Sequence, residues 1–176
     1  MNRKSLFLVG PMGAGKTTIG KKLAEICNLE FVDSDHEIEV RTGVDIPYIF
    51  EKEGEEGFRR REQAVLADLT TRSGIVLATG GGAVLLPENR AHLSARGLVV
   101  YLHAGLEQQL ARTERSEHRP LLMHGDRRET LIRLFEHRDP LYREVADLVV
   151  ETDGKNARQL AREIQDALLT PPGEEV

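Results

Sequence analysis

A glycine-rich turn near the N-terminus constrains this chain more than any other stretch. Residues 6–19 read LFLVGPMGAGKTTI, and Gly10, Gly15, Lys16 and Thr17 have the spacing of a phosphate-binding loop. Glycines let successive backbone N–H groups point inward, and a helix that begins near Gly15 directs the positive end of its dipole at the anion. An apolar strand precedes the motif and an amphipathic helix follows it. The stretch therefore predicts a strand–loop–helix unit that binds phosphate, rather than a turn that binds nothing.

The composition is that of a single acidic domain. The 176 residues carry a formal net charge of -5, which disfavours binding to nucleic acid through bulk charge and requires a local arginine cluster for an anionic substrate. The apolar runs are too short for a membrane span or a signal-peptide core, so we expect a cytoplasmic protein. Cys27 is the only cysteine, which excludes an intrachain disulfide and a thiolate metal cluster.

Short apolar runs alternate with helical patterns along the whole chain. The predicted strands are Ser5–Val9, Glu30–Asp33, Ile75–Thr79, Leu98–Leu102 and Asp147–Glu151. The predicted helices are Gly15–Cys27, Ser34–Thr42, Asp45–Lys52, Gly54–Arg72, Pro87–Arg96, Gly105–Glu114, Arg127–Ala146 and Asn156–Leu169. This alternation predicts an α/β fold with a mostly parallel sheet covered on both faces. We expect residues 170–176 to form a disordered tail.

Two carboxylates end the second apolar run. Asp33 and Asp35 lie two residues apart, so they can serve different partners at a strand end. Beside a magnesium nucleotide, one can hold a metal-bound water while the other accepts a proton from a hydroxyl. The competing interpretation is that Asp35 caps a helix. Because strand ends of a parallel sheet share one edge with the phosphate loop, we favour the chemical interpretation.

Arginines and glycines supply candidate contacts to an anionic acceptor. Of the three arginines at 59–61, only one or two can face a pocket, and Phe58 beside Arg59 indicates a partly buried turn. The glycines at 80–82 follow the third apolar run, where they allow a ligand to approach the backbone. Pro140 disfavours helix at Asp139, so a kink there could turn Arg138 inward.

The segment between Thr113 and Arg128 is polar and basic, and it is interrupted by Pro120 and Gly125. Such a segment can act as a flap that excludes water and brings a cation to a transferring phosphate. A solvated loop without such a role remains the alternative.

Taken together, the motifs resemble the shikimate kinase family. The likeness covers nearly the whole chain and rests on GxxGxGKT from Gly10, DSD from Asp33, GEEGFRxxE from Gly54, ATGGG from Ala78, RPLL from Arg119 and RxPLY from Arg138. The resemblance implies transfer of the γ-phosphate of ATP to the 3-hydroxyl of shikimate. It also implies a P-loop NTPase fold of the nucleoside-monophosphate-kinase type, in three layers with parallel strands in order 2-3-1-4-5.

The resemblance assigns roles to individual residues within one domain spanning 1–176. Lys16, Asp35 and Arg119 are implied in catalysis. ATP is implied to contact Gly13, Ala14, Gly15, Lys16, Thr17, Thr18, Arg112, Arg119 and Lys155. Shikimate is implied to contact Asp35, Arg59, Gly80, Gly81, Gly82 and Arg138, with residues 34–62 as its binding segment and 114–126 as a lid. Thr17 is implied to bind Mg²⁺ directly, and Asp33 to bind it through water. A monomer is the usual form of the family.

Two other functions stay open at this point. The first is another small-molecule kinase of the same fold, such as a gluconate kinase, which would need a different acceptor pocket. The second is a non-enzymatic nucleotide-binding module. The chain lacks the N-K-x-D and D-x-x-G strings of GTPase switches, and such a module has no need for the carboxylates, arginine and glycines placed on one sheet edge.

Overall fold

A parallel β-sheet forms the centre of the computed structural model, which describes residues 4–114, 120–122 and 126–169. Across these residues the sheet has five strands in the order β2-β3-β1-β4-β5. The strands are β1 (Leu6–Val9), β2 (Glu30–Asp33), β3 (Ile75–Ala78), β4 (Leu98–His103) and β5 (Leu148–Glu151). The strand order and the parallel pairing confirm the predicted fold class.

Helices connect the strands and cover both faces of the sheet. They are α1 (Lys16–Cys27), α2 (Ser34–Thr42), α3 (Ile46–Leu69), α4 (Pro87–Arg96), α5 (Leu106–Thr113), α6 (Arg127–Val145) and α7 (Ala157–Leu169), with a single 3-10 turn at Pro120–Leu122. The helices predicted on either side of residue 53 join in α3, which breaks at Gly54, where φ is 69° and ψ is -177°. A glycine suits this break because a positive φ strains other residues.

Helix α6 continues through Asp139 and Pro140, within the predicted range Arg127–Ala146, although Pro140 disfavours helix at the residue before it. Tertiary contacts outweigh the local preference: Asp139 accepts a hydrogen bond from the Tyr101 hydroxyl at 2.6 Å and pairs with Arg143 at 3.0 Å. Arg138 is nevertheless directed inward, with 4% of its surface exposed.

The core lies in two layers because side chains alternate along each strand. In β1, Leu6 and Leu8 pack with apolar residues of α1 and α7, whereas Phe7 and Val9 pack with residues of α3, α4 and α6. This double covering explains the continuous apolar runs of the strands. Within the described ranges, no helix combines the length and apolar character that a membrane crossing needs.

The sheet register brings three strand ends to the same level. Ala78 pairs with Leu8 of β1 on one side and with Asp33 of β2 on the other. Thr79 stabilises this edge of the sheet, since its hydroxyl donates a hydrogen bond to the Leu8 carbonyl at 2.8 Å. The phosphate loop, Asp33 and the glycines at 80–82 therefore emerge side by side.

Replacing Val100 with alanine is expected to lower the free energy of unfolding by about 2 to 3 kcal/mol, because this fully buried side chain would leave a cavity in the sheet. Val149 on edge strand β5 is 40% exposed, so the matched Val149→Ala substitution should cost less than about 1 kcal/mol. Urea unfolding measures both values. Equal losses of unfolding free energy in the two variants would contradict the two-layer core.

Candidate active site

The loop between β1 and α1 has the backbone geometry of an anion cradle. Gly13 and Gly15 adopt φ values of 79° and 88°, and Gly15 caps α1 without a side chain, so the first amides of the helix remain directed at the loop. The Lys16 ammonium donates to the carbonyls of Gly10 at 2.6 Å and Pro11 at 2.8 Å. The loop thus has the backbone arrangement that the sequence predicts for a phosphate site.

Asp33 connects this loop to the second strand. One carboxylate oxygen accepts the Thr17 hydroxyl at 2.9 Å, and the other accepts the backbone N–H groups of Asp35 and His36. Asp33 is therefore the N-cap of α2, the role that the sequence had assigned to Asp35 in the competing interpretation. Asp35 is left in the first turn of the helix, where it lines the cleft.

Two adjoining cavities lie along the sheet edge. The first is a cleft of about 490 Å³ that is lined by the phosphate loop, Asp33, Asp35, Thr79 and Arg112. The second cavity shares Asp35, Gly80 and Gly81 with the cleft and continues to Arg59, Glu62 and Arg138. Its apolar walls are Met12, Ile46, Phe50, Phe58, Pro120 and Leu121. A ligand in each cavity would meet the other at Asp35.

The second cavity contains a buried cluster of charges, Arg59, Glu62 and Arg138. The Arg59 guanidinium donates to Glu62 at 2.9 Å and to the half-exposed Glu55 at 3.3 Å. Burial raises the pKa of the Glu62 carboxyl, and the nearby charges of Arg59 and Arg138 oppose that rise. Arg60 and Arg61 are exposed and pair with Glu56 and Glu53, so one arginine of the three faces the cavity, as the sequence predicts.

Several polar atoms of this cluster lack a partner. Among the described residues, the Nε atoms of Arg59 and Arg138 and the Oε2 atom of Glu62 are buried without a hydrogen bond. A buried polar atom without a partner costs about 1 to 3 kcal/mol, and native structures retain few of them. An anion would supply acceptors for the two arginines, whereas Glu62 Oε2 is itself an acceptor that lacks a donor.

The glycines at 80–82 let side chains of the site approach the backbone. A Cβ atom at Gly80 would lie 2.9 Å from Asp35 Oδ1 and 3.1 Å from Glu62 Oε2, and one at Gly82 would overlap the Arg59 guanidinium. A Cβ atom at Gly81 would lie 3.4 Å from Arg138 Nη1. The site's own side chains therefore occupy the space on the Cβ side of these glycines, which also line the cavities.

Most of the sequence-predicted site residues are brought together, but not all. Arg112 lies against Gly15 at the mouth of the phosphate loop. Lys155 is absent from the linings described for both cavities and pairs with Glu163 at 3.0 Å. Arg119 and most of the predicted lid lie outside the described residues, as does the predicted tail at 170–176.

Sequence reasoning missed Glu62 as a residue of the site. Glu62 lies on the buried face of α3. The apolar residues of that face, at helical spacing, are Phe58, Val65, Leu66 and Leu69. A carboxylate within an apolar stripe, one turn after Arg59, was the available signal.

A phosphate loop that opens toward buried arginines would place a nucleotide next to an anionic acceptor. This fold and this site define a P-loop kinase that acts on a small molecule. A family model described as shikimate kinase matches residues 12–169. The chain therefore belongs to the shikimate kinase family.

Individual relatives agree with this assignment. A shikimate kinase of Shewanella denitrificans is 57% identical over 166 residues, which cover 94% of this chain and 97% of the relative. The solved structure of shikimate kinase from Acinetobacter baumannii in complex with shikimate has a TM-score of 0.95 at 53% identity, covering 98% of this chain and 96% of that one.

Similarity to a gluconokinase is restricted to the fold. The enzyme from Sinorhizobium meliloti superposes with a TM-score of 0.58 at 18% identity, covering 94% of this chain and 91% of that one. Identity this low supports a shared architecture and no shared acceptor.

Glu62→Gln is expected to raise the KM for the anionic acceptor about tenfold, because the neutral amide holds Arg59 less firmly. The KM for the nucleotide should stay within about twofold. Steady-state kinetics measure both constants. Glu55→Gln is the matched control, since Glu55 also contacts Arg59 but is half exposed, and it should change neither constant by more than about twofold. Equal effects of the two substitutions would contradict a special role for the buried carboxylate.

Proposed function

We propose that this protein transfers the γ-phosphate of ATP to the 3-hydroxyl of shikimate, giving shikimate 3-phosphate and ADP on the way to chorismate and the aromatic amino acids. The observation that carries the proposal is the buried Arg59–Glu62–Arg138 cluster, which joins the phosphate-loop cleft at Asp35. Membership of the shikimate kinase family supports the same reaction.

Shikimate combines one carboxylate with three hydroxyl groups, and the second cavity offers complements to both. Arg59 and Arg138 would hold the carboxylate, because guanidinium groups match its geometry with paired hydrogen bonds. Asp35 and the backbone of the glycines at 80–82 would hold the hydroxyl groups. The apolar walls leave few other partners for these polar groups, which favours one orientation of the ring.

Phosphoryl transfer depends mainly on alignment and on neutralising the spreading negative charge. Lys16 would bind the outer phosphates, exchanging the carbonyls of Gly10 and Pro11 for phosphate oxygens. Asp35 would orient the attacking hydroxyl and accept its proton. Arg119, by family resemblance, would come from the lid at 114–126 onto the transferring phosphate, and closure of that lid would exclude water.

Magnesium fits the residues beside the phosphate loop. The Thr17 hydroxyl and an Asp33 carboxylate oxygen lie 2.9 Å apart, so Thr17 can bind the ion directly and Asp33 through a water. Among the described residues no group of three or more acidic, histidine or cysteine side chains forms a metal cage. This suits an ion that is held mainly by phosphate oxygens and waters. Such an ion would neutralise part of the phosphate charge.

The nucleotide would lie along the cleft, with Gly13, Ala14, Gly15, Lys16 and Thr18 around its phosphates. Arg112, at the mouth of the loop, and Lys155 would contact the adenine end. For Lys155 this requires release from Glu163, an exposed pair of little strength. We further propose a cytoplasmic monomer that binds neither nucleic acid nor membrane.

The reaction is tested by a coupled ADP-release assay with ATP, Mg²⁺ and either shikimate or gluconate. We expect rapid release with shikimate and only background release with gluconate. Phosphorylation of gluconate would favour the related small-molecule kinase instead. Slow hydrolysis that ignores both acids would favour a non-enzymatic nucleotide-binding module.

Asp35→Asn is expected to lower kcat by at least about 10²-fold, since an amide cannot accept the hydroxyl proton. Binding of ATP, measured by calorimetry, should be unchanged. Asp45→Asn is the matched control: Asp45 caps α3 at the surface, and asparagine caps equally well. Retained turnover in Asp35→Asn would mean that another group takes the proton.

Arg138→Lys is expected to raise the KM for shikimate by at least about tenfold, because an ammonium cannot form two parallel hydrogen bonds to a carboxylate. Arg143→Lys is the control on the same helix, where Arg143 is exposed and pairs with Asp139. Steady-state kinetics with shikimate varied at saturating ATP measure the effect. An unchanged KM in Arg138→Lys would remove Arg138 from carboxylate binding.

A further inference from the structure

Tyr142 lies directly beneath the glycine run and is fully buried. Its hydroxyl donates a hydrogen bond to the Gly81 carbonyl at 2.5 Å. One helical turn earlier on α6, Arg138 lies against the same glycine, since a Cβ atom at Gly81 would be 3.4 Å from Arg138 Nη1. The side chains of Tyr142 and Arg138, both on α6, therefore meet at Gly81 in the second cavity.

The hydroxyl of Tyr142 fixes a peptide unit that is otherwise easily rotated. The carbonyls of Gly80 and Gly82 accept the N–H groups of Ala83 and Leu85, each at 3.1 Å, in local turns. The Gly81 carbonyl is instead anchored from α6. Because a trans peptide is planar, a fixed Gly81 carbonyl also fixes the opposite direction of the Gly82 N–H. Glycine provides no steric preference that could do the same.

The Tyr142 hydroxyl is suited to donate its hydrogen bond at all physiological pH values, because it keeps its proton. Burial raises the pKa of Tyr142 to about 12, although the charge and hydrogen bond of Arg138 and the charge of Arg59 act against the rise. The phenol is therefore neutral at physiological pH and keeps its proton for Gly81. Tyr142 and Arg138 therefore both meet the glycine run at Gly81.

We propose that Tyr142 is a positioning residue for the carboxylate end of the substrate, because its hydroxyl holds the Gly81–Gly82 peptide, against which Arg138 lies, in one arrangement. The inference rests on the proposed function and deepens it. Tyr142 does not touch the substrate in this account; it acts through Arg138 and the glycine backbone.

Tyr142→Phe removes the hydroxyl and keeps the ring, which packs on Tyr101 with centroids 4.9 Å apart. We expect the KM for shikimate to rise at least about tenfold, while the KM for ATP stays within about twofold. Tyr101→Phe is the matched control, because Tyr101 is equally buried and its hydroxyl also bonds to α6, at Asp139. It should leave the KM for shikimate within about twofold at a similar loss of Tm.

An unchanged KM for shikimate in Tyr142→Phe, or equal rises in the two variants, would overturn the inference. Both outcomes differ from failure of the proposed function, which would show as a wild-type protein that does not phosphorylate shikimate at all. In that case the inference fails together with the function on which it rests.

The wild-type chain provides a second test that does not depend on folding of Tyr142→Phe. Its tyrosines are Tyr48, Tyr101 and Tyr142, so ¹³C labelling at the ζ carbon gives three NMR signals. Tyr48→Phe and Tyr101→Phe assign them. We expect saturating shikimate to shift the Tyr142 signal and to leave that of the surface residue Tyr48 in place. A Tyr142 signal that does not move at saturation would overturn the inference.

Discussion

Burial of the Arg59–Glu62–Arg138 cluster is the constraint on which the rest of the site depends. The fully buried Glu62 carboxylate pairs with Arg59 and lies near the charge of Arg138, and polar atoms of all three residues lack partners among the described residues. Buried charge is costly unless it is paired and hydrogen-bonded. A bound carboxylate would supply both the missing charge and the missing acceptors. The charge of two guanidinium groups beside one buried carboxylate thus favours an acidic ligand.

The fold places this cluster beside the phosphate loop through a few shared residues. Asp33 caps α2 and contacts Thr17, so the helix that carries Asp35 is joined to the loop that would hold the nucleotide. The glycines at 80–82 touch Asp35, Glu62, Arg138 and Arg59 in turn. Since α2, α3 and α6 all meet at this run, a shift in one of them would disturb the whole acceptor cavity.

Much of this architecture could be predicted from the sequence because its signals are local. The phosphate loop depends on glycines at fixed spacing, and the strands on short apolar runs between helical patterns. The helix over Arg127–Ala146 could be predicted from its local pattern, but the contact of Asp139 with Tyr101 on a different element could not. Glu62 and Tyr142 were missed for a similar reason. Their roles come from partners on other elements or from burial, which the local pattern of charges does not report.

In the proposed reaction the buried arginines bind the charged end of the acceptor. Calorimetric titration of the protein with shikimate and with its methyl ester tests this directly, because the ester keeps the ring and hydroxyl groups but carries no negative charge. The ester leaves the buried arginines without their negatively charged partner. We therefore expect it to bind at least about 30-fold more weakly than the acid. Equal affinity for the acid and the ester would contradict the account.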